Sequence, residues 1–511
     1  MNDPTFNTPA SPKDFPREPI MLENLSVPFM KTSCFLPLSL TDTTLEIAMA
    51  DPDDFETIDA LALAFGLEIV VRRGSAEDIL DAIERLYGAG SQSIETIIEE
   101  AEQDIVQSLT GLEEDADHLR DMASEAPIIR LVNRLVLNAV ESRASDIHFE
   151  PYENEFKVRY RIDGVLNDVD SPPKRFQSAI ISRVKIMAKL DISERRLPQD
   201  GRIKLKIANK EIDFRVSTIP TLFGESLVMR ILDREALVLD LDLLGFPEKV
   251  LDRYLKLIHQ PHGMVLVTGP TGSGKTSTLY ATLALINRPE NKIITLEDPV
   301  EYQLKGVNQI QVNPKIGLTF AGGLRSIVRQ DPDIILVGEI RDRETAETAV
   351  QSALTGHLLF STLHTNDSAG AITRLLDMGV ESFLLSSTLL GVLAQRLVRV
   401  ICPQCKAEVA PDAERLLAMG VSEAEAADTV FYQGTGCEAC RHTGFLGRSA
   451  IFEYLPIDDP VRKEINQRSG TEQIKQTAMR RGMSTLRQDG WEKVKSGITT
   501  VSEVLRVTLE E

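Results

Sequence analysis

The stretch GPTGSGKT (269–276) follows the apolar run MVLVT (264–268) and precedes the helical stretch STLYATLALIN (277–287). A strand, a glycine-rich turn and a helix in this order form a phosphate-binding loop, in which successive backbone N–H groups turn towards the phosphates. Lys275 then reaches the β and γ oxygens, and the Thr276 hydroxyl is a ligand for Mg²⁺. The stretch predicts an α/β domain that binds a nucleoside triphosphate through Gly269, Pro270, Thr271, Gly272, Ser273, Gly274, Lys275, Thr276 and Ser277.

Two further apolar stretches end in carboxylates. ITLEDPVEY (294–302) carries Glu297, Asp298 and Glu301, and DPDIILVGEIRD (331–342) carries Glu339. A lone glutamate after an apolar strand is more often a solvated strand end. Beside a phosphate loop, however, one carboxylate can act on Mg²⁺ while another polarises the attacking water. The pair therefore predicts hydrolysis of the nucleotide rather than binding alone.

The stretch LTGHLLFSTLHTN (354–366) contains His357 and His364. A histidine in an apolar stretch is often structural, and that alternative stays open for both. His364 follows an apolar strand and precedes two polar residues, which is where a γ-phosphate sensor would lie. The sequence therefore favours His364 over His357 as a functional residue.

Four of the five cysteines form two pairs, Cys402-x-x-Cys405 and Cys437-x-x-Cys440, separated by 31 residues. Two such pairs predict a structural Zn²⁺ site with four thiolate ligands. The separation is longer than usual for structural zinc, so unliganded thiols remain an alternative. Cys34, in the apolar context SCFLPL, is expected to be a small buried hydrophobic residue without a functional role.

The net charge of −21 argues against a broad nucleic-acid footprint, because phosphate backbones are bound mainly by clustered Lys and Arg. About half of the excess lies in residues 94–125, with eleven Asp or Glu and one Arg. No run of about 18 apolar residues and no signal-peptide pattern is present. We therefore expect a cytoplasmic protein whose membrane contact is made through a partner.

The chain divides into several expected units. These are a disordered N-terminus (1–18), a small α/β docking domain (19–90), an acidic helical linker (91–125), a second α/β domain (126–236) and a doubly wound α/β domain (237–511) with a zinc-binding subdomain (398–447). The linker is interpreted as a solvated helix, with a docking helix as the alternative. The docking domain carries no catalytic constellation.

The second domain is rich in arginine, and turns are predicted at Asp163-Gly164 and Asp200-Gly201. Surface arginines mostly solubilise a protein, but those on alternating strands can project together from one sheet face. Arginine suits a developing phosphate charge, so this face is a candidate source of arginine fingers that require the domain to close on the nucleotide. The arginines are Arg159, Arg161, Arg195, Arg196, Arg202, Arg215 and Arg230.

Together these motifs resemble the secretion ATPase superfamily, and more narrowly the type II secretion system assembly ATPases of the GspE family. The resemblance rests on GPTGSGKT, TLEDPVEY, DPDIILVGEIRD, TGHLLFSTLHTN and CPQC…CEAC, preceded by RASDIHFEPYE, RLPQDGRI and DFRVSTIP. It covers residues 125–507. It implies a RecA-like ATPase domain, a PAS-like second domain, an N-terminal domain that docks on the cytoplasmic part of an inner-membrane partner, and a working homohexamer at the cytoplasmic face of the inner membrane.

The resemblance also implies roles for single residues, with ATP, Mg²⁺ and Zn²⁺ as ligands. Lys275 and Thr276 match the Walker A pair, Glu297 the acidic box and Glu339 the Walker B glutamate. The remaining matches are the histidine-box residue His364, the second-domain arginines Arg215 and Arg230 that reach the γ-phosphate, weaker supporting positions at Arg161, Arg325 and Arg329, and the zinc ligands Cys402, Cys405, Cys437 and Cys440.

The main hypothesis is an ATPase that drives pseudopilus assembly for protein export. A type IV pilus assembly ATPase is the alternative within the superfamily, because the phosphate chemistry does not separate the two. A nucleic-acid-dependent hexameric motor is a different class, and the acidic charge balance disfavours it. A scaffold that binds ATP without turning it over is disfavoured by the two acidic boxes and His364.

Overall fold

The computed structural model describes residues 14–16, 20, 22, 25, 27–41, 43–87, 123, 126–169, 171–207, 210–233 and 239–508. The chain separates into two compact units, residues 1–234 and 235–511, which are described separately below. The expected disordered N-terminus lies outside the described residues except for 14–16. The expected acidic linker lies outside them except for residue 123.

The N-terminal part of the first unit is a three-stranded sheet in the order β1-β2-β3, packed against helices. The strands are β1 Phe35–Leu40, β2 Thr44–Met49 and β3 Glu68–Arg73, and the helices are α1 Val27–Thr32, α2 Phe55–Phe65 and α3 Ala76–Tyr87. The apolar core is formed by Phe35, Leu45, Ile47 and Ile79, all of them inaccessible to solvent. Cys34 is only partly buried, contrary to expectation, because it lies in the turn between α1 and β1.

The second part of this unit is an antiparallel sheet in the order β6-β5-β4-β9-β8-β7. Its strands are β4 Ala144–Pro151, β5 Phe156–Ile162, β6 Val165–Val169, β7 Gln199–Ile207, β8 Lys210–Thr221 and β9 Gly224–Asp233; its helices are α4 Ala126–Glu141 and α5 Gln177–Met187. Alternate residues of the strands, such as Ile147, Phe149 and Phe214, enter one core with the apolar faces of both helices. Asp163 and Gly164 both have positive φ (47° and 84°) and form the predicted turn between β5 and β6.

The predicted turn at Asp200-Gly201 is wrong. Both residues lie inside β7, where they pair with Ser217 and Val216 of β8. A Cβ atom on Gly201 would lie 2.7 Å from the carbonyl oxygen of Ala188. The glycine is therefore needed for the close approach of the segment after α5, not for a reversal of the chain.

The second unit is built on a seven-stranded sheet in the order β12-β11-β13-β14-β10-β15-β18, parallel except for the antiparallel pair β15 and β18. The strands are β10 Gly263–Thr268, β11 Ile293–Glu297, β12 Asn308–Gln311, β13 Ile334–Val337, β14 Leu358–Leu363, β15 Leu389–Ile401 and β18 Phe445–Pro456. The helices are α6 Glu248–Ile258, α7 Lys275–Ile286, α8 Phe320–Ile327, α9 Arg343–Leu354, α10 Ser368–Asp377, α11 Ser382–Thr388, α14 Asp459–Asn466, α15 Thr471–Arg480, α16 Leu486–Lys495 and α17 Val501–Thr508.

Apolar clusters cover both faces of this sheet, so the expected doubly wound α/β class is confirmed. The parallel strands β10, β11, β13 and β14 bring their carboxyl ends to one edge, which is where ligands bind in such sheets.

A small subdomain lies between β15 and β18. It contains a two-stranded antiparallel sheet, β16 Lys406–Val409 and β17 Phe431–Gly434, and the short helices α12 Ala413–Met419 and α13 Glu423–Ala427. Within the described residues of the whole chain, we find no helix that is both long and apolar enough to span a membrane.

Candidate nucleotide and metal sites

The phosphate loop connects β10 to α7. Gly269, Gly272 and Gly274 have φ of 148°, 79° and 87°, a region that favours glycine. The Lys275 ammonium donates to the carbonyl oxygens of Gly269 (2.7 Å) and Pro270 (2.9 Å). Burial lowers the pKa of Lys275 to about 8, and the charge of nearby Arg396 acts in the same direction, whereas Glu339 opposes it. The three glycines therefore form the turn between β10 and α7 that the sequence predicts, and phosphate binding by this loop stays a prediction.

Glu297 ends β11 and is 4% exposed. Its Oε2 accepts a hydrogen bond from the Tyr280 hydroxyl. Its Oε1 accepts from Thr295 Oγ1 (2.5 Å) and Gln309 Nε2 (3.1 Å). Burial and the Glu297 carboxylate raise the pKa of Tyr280, so the phenol remains a donor at neutral pH. The glutamate is therefore held rigidly by three polar side chains in this structure.

Glu339 lies two residues after β13, at the edge where the phosphate loop starts. Its Oε2 lies 3.4 Å from Nε2 of His364, which follows β14, and its Oε1 lies 2.5 Å from Nη2 of Arg341. The pKa of His364 is lowered by burial first and by the charge of Lys275 second, so its ring is neutral at neutral pH. The structure therefore places the side chains of Lys275, Glu339 and His364 close together at the carboxyl edge of the sheet.

Other residues from the sequence analysis have contacts outside this group. The Nδ1–H of His357 donates to the Ser352 carbonyl oxygen (2.8 Å), and His357 precedes β14, so it lies at the opposite end of that strand from His364. Arg325 pairs with Glu344, and Arg329 donates to the carbonyl of Arg325 (2.8 Å).

The arginines of the second domain form a row across the open face of its sheet. Arg202 is opposite Arg215, Arg215 is opposite Arg230, Arg230 is opposite Asp146, and Asp146 is opposite Arg161. We call these five residues the arginine row. Asp146 is 5% exposed, and it accepts from Arg230 Nε (2.9 Å) and lies 3.8 Å from Arg161 Nε. The row thus contains four arginines and one buried carboxylate, which contacts Arg230 and Arg161 on the two neighbouring strands.

The other arginines of this domain have local partners. Arg159 binds both oxygens of Glu150, and Arg196 binds Glu194 two residues before it. Arg195 lines a cavity of about 210 Å³ between α5 and the turn that joins β8 to β9.

The four C-terminal cysteines lie together, with all four Sγ atoms within 4.8 Å of one another. The Sγ atoms of Cys402 and Cys437, and those of Cys405 and Cys440, are 3.8 Å apart. Tetrahedral zinc with Zn–S bonds of about 2.3 Å requires S–S distances of roughly 3.8 Å, so the four thiols fit this ion. Residues 406–436, which separate the two cysteine pairs, form the small subdomain with β16 and β17.

Backbone N–H groups support thiolate character in this cluster. Gly436 donates to Cys405 Sγ (3.3 Å), and Cys437 and Gly444 donate to Cys440 Sγ (3.2 and 3.3 Å). Burial tends to raise the pKa of Cys440, but the Cys437 and Gly444 N–H groups and the neighbouring thiols lower it to about 6, whereas burial and the neighbouring thiols raise the pKa of Cys405 to about 11. Thiolates are the form that ligates zinc.

Several residues that support these sites were not found from the sequence. Tyr280 and Gln309 hold Glu297, Asp146 holds Arg230, and Gln395 and Arg396 lie behind the phosphate loop. Asp146 lies in RASDIHFEPYE, a stretch that contributes to the resemblance but gave this residue no role, and Gln395 lies in a stretch that contains no spacing signal for a site. Their contacts depend on strand pairing between distant parts of the chain.

Two family models match different parts of this chain. The family model described as "Type II/IV secretion system protein" matches residues 121–506, and a model for the MshEN domain matches residues 6–93. The type II secretion system protein E of Xanthomonas campestris is 52% identical over 95% of this chain and 85% of its own length. The type IV pilus assembly ATPase PilB of Myxococcus xanthus is 46% identical over 96% of this chain and 87% of its own length.

Among solved structures, the ATPase DotB of Legionella pneumophila matches with a TM-score of 0.54 at 20% identity, over 74% of this chain and 95% of its own. At this identity the likeness shows the fold alone. The family match spans both the arginine-bearing sheet and the nucleotide-binding sheet. The chain therefore belongs to the type II/IV secretion system protein family, as the resemblance of its motifs implied.

Proposed function

We propose that this chain is a Mg²⁺-dependent ATP hydrolase that powers pseudopilus assembly and protein export by a type II secretion system. The observation that carries the proposal is the grouping of Lys275, Glu339 and His364 at the carboxyl edge of the parallel sheet. A relative from Vibrio cholerae that is 50% identical over 77% of this chain is named a type II secretion system ATPase E.

The proposed roles follow from the chemistry of each side chain. The loop from Gly269 to Ser277 binds the phosphates of ATP, with Lys275 on the β and γ oxygens. Thr276 is the proposed ligand for Mg²⁺, which when bound neutralises phosphate charge. Glu339 and the neutral His364 orient the attacking water and the γ-phosphate, and Glu297 assists from its buried position at the end of β11.

The arginine row supports a further role for the second domain. Arg215 and Arg230 are proposed as fingers that stabilise charge on the phosphates during hydrolysis, with Arg161, Arg325 and Arg329 in supporting positions. Because those fingers belong to another domain, hydrolysis would then be coupled to domain closure. We propose that these two domains comprise residues 126–236 and 237–511.

The proposed assembly is a homohexamer at the cytoplasmic face of the inner membrane, with the N-terminal domain on the cytoplasmic part of a secretion-platform protein. Zn²⁺ bound by Cys402, Cys405, Cys437 and Cys440 would be structural, since four thiolates complete its coordination. A role in type IV pilus assembly is the alternative, favoured by the 46% identity to PilB. Nucleic acid is not an expected partner.

The enzymatic part is tested by ATP hydrolysis of the purified full-length chain. Lys275→Ala and Glu339→Gln are expected to abolish turnover, and Glu339→Gln is expected to retain ATP binding. Glu347→Gln, which removes an exposed carboxylate from α9, is the matched control. Wild-type turnover in Glu339→Gln would overturn the site assignment.

The biological part is tested by replacing the chromosomal gene with the Glu339→Gln variant. Loss of exported proteins from the medium with surface pili retained supports type II secretion. Loss of pili with export intact supports the alternative.

A further inference from the structure

Strand β15 passes directly behind the phosphate loop. Ala394 pairs with Thr268, the last residue of β10, so Gln395 and Arg396 lie beside the start of the loop. Gln395 Oε1 accepts from Thr278 Oγ1 (2.7 Å). A Cβ atom on Gly269 would lie 2.4 Å from the Gln395 carbonyl oxygen. The phosphate loop is thus seated against this part of β15.

The next residue along β15 holds a different loop. Arg396 is 5% exposed, and its Nη2 donates to the carbonyl oxygen (3.3 Å) and to the side-chain oxygen (3.1 Å) of Asn366. Asn366 lies two residues after His364. We call residues 364–367 the histidine loop.

The histidine loop is also held from β10. Thr268 Oγ1 lies 2.7 Å from Thr365 Oγ1, and the Thr365 backbone N–H donates to Thr268 Oγ1 (3.0 Å). Together, Thr268 and Arg396 tie consecutive residues of the histidine loop to the two strands that carry and support the phosphate loop. The separation between His364 and Lys275 is therefore set by these anchors.

We infer that Arg396 is a positioning residue for ATP hydrolysis, which fixes the histidine loop against the phosphate loop and so holds His364 beside Glu339. The inference rests on the proposed function of this site. Arginine suits the task because its planar guanidinium holds Nη2 in a fixed orientation towards both Asn366 oxygens, whereas a lysine ammonium is a single point on a flexible stem. A shift of about 1 Å in a reacting group can cost roughly a hundredfold in rate.

The test is steady-state ATP hydrolysis by the full-length chain carrying Arg396→Lys. This change retains the positive charge but replaces the planar guanidinium with an ammonium group. We expect kcat to fall by roughly tenfold or more while KM for ATP changes by less than about twofold, because the phosphate loop itself is intact. A normal kcat, or a loss confined to KM, would overturn the inference.

Two further variants separate positioning from general stability. Arg399→Lys alters an arginine of the same strand that binds Glu503 (2.6 Å), and it is expected to leave kcat unchanged even if it lowers the melting temperature. Asn366→Ala removes the acceptor side chain on the loop and is expected to lower kcat alone. Combined with Arg396→Lys it should add little, because both changes break one contact. Additive losses in kcat would contradict the assignment.

The same series separates this inference from the proposed function. If His364→Ala hydrolyses ATP at the wild-type rate, the proposed role of His364 is wrong. If His364→Ala is slow while Arg396→Lys is normal, only the positioning role fails.

Discussion

Nε of Arg230 donates to Oδ1 of the buried Asp146 at a distance of 2.9 Å. When a guanidinium is bound through Nε, one of its two Nη groups points away from the carboxylate and can bind a phosphate. Arg215 and Arg230 face each other across the ladder as like charges, and the Asp146 carboxylate compensates the charge of Arg230. The carboxylate thus stabilises one side of the arginine row.

We therefore predict that Arg230→Ala and Asp146→Asn both lower kcat for ATP hydrolysis, by roughly tenfold or more, with a much smaller change in ATP affinity. Steady-state kinetics and equilibrium nucleotide binding measure the two effects. Asp168→Asn, which removes an exposed carboxylate from β6 of the same sheet, serves as the control. Equal losses of rate and affinity would argue against the finger role.

The pH dependence of stability should reveal His364. Its pKa is lowered from 6.5 by burial and by Lys275, so the unfolded chain takes up a proton at a pH where the folded chain does not. Stability contributed by the neutral ring is present above about pH 6.5 and is lost as the pH falls through the folded pKa. We predict that the melting temperature of the wild type falls more than that of His364→Gln between pH 7.5 and 5.

The exposed His262 provides the comparison for that experiment. His262→Gln should follow the wild-type pH profile. Identical profiles for wild type and His364→Gln would show that His364 is not perturbed as described.

Asp489 should give the free energy of unfolding a pH dependence that is opposite in sign to that of His364. Burial raises its pKa to about 6, although Lys493 and the Phe452 N–H oppose the shift. The folded chain therefore binds a proton that the unfolded chain releases, and stability present below about pH 4 is lost as the pH rises through 6. We predict a loss of about 3 kcal/mol over that interval, from about 1.4 kcal/mol per pKa unit. Denaturant unfolding of the wild type and Asp489→Asn at several pH values measures it.

The asparagine variant should lack this loss. Asp459→Asn, at a side chain that is 93% exposed, should retain it. A pH-independent difference between wild type and Asp489→Asn would refute the assignment.

The cysteine cluster predicts about one zinc ion for each chain. Cys405→Ser should lower the zinc content measured by atomic emission and lower the melting temperature, because a structural metal contributes to folding. Cys34→Ser should leave the zinc content unchanged, since Cys34 lies in a different domain. Purified wild-type protein that is stable and free of metal would contradict the prediction.

The parts of the molecule that were predictable are those in which chemistry is local in the sequence. The phosphate loop is eight consecutive residues, and Glu297 and Glu339 each lie at or within two residues of the end of an apolar strand. The cysteine pairs carry their own spacing. The α/β class follows because apolar runs alternate with helical periodicity.

The rest depends on contacts that spacing does not reveal. Asp146 and Arg230 are 84 residues apart, and their contact exists only because β4 pairs with β9. Asp200-Gly201 has the composition of a turn, yet the close approach of Ala188 places the glycine inside a strand. A short sequence motif does not indicate which distant part of the chain will lie next to it in the fold.

Strand β15 runs without interruption from the phosphate loop to the cysteine cluster, since Cys402 directly follows its last residue, Ile401. It pairs with β10 or β18 over most of its length, with an irregularity between Arg399 and Ile401. Cys402 lies seven positions after Gln395, a distance of roughly 23 Å along an extended strand. A strand held in this way is rigid, so the cysteine subdomain is expected to move together with the seven-stranded sheet. Any hinge that converts hydrolysis into movement must lie outside this strand.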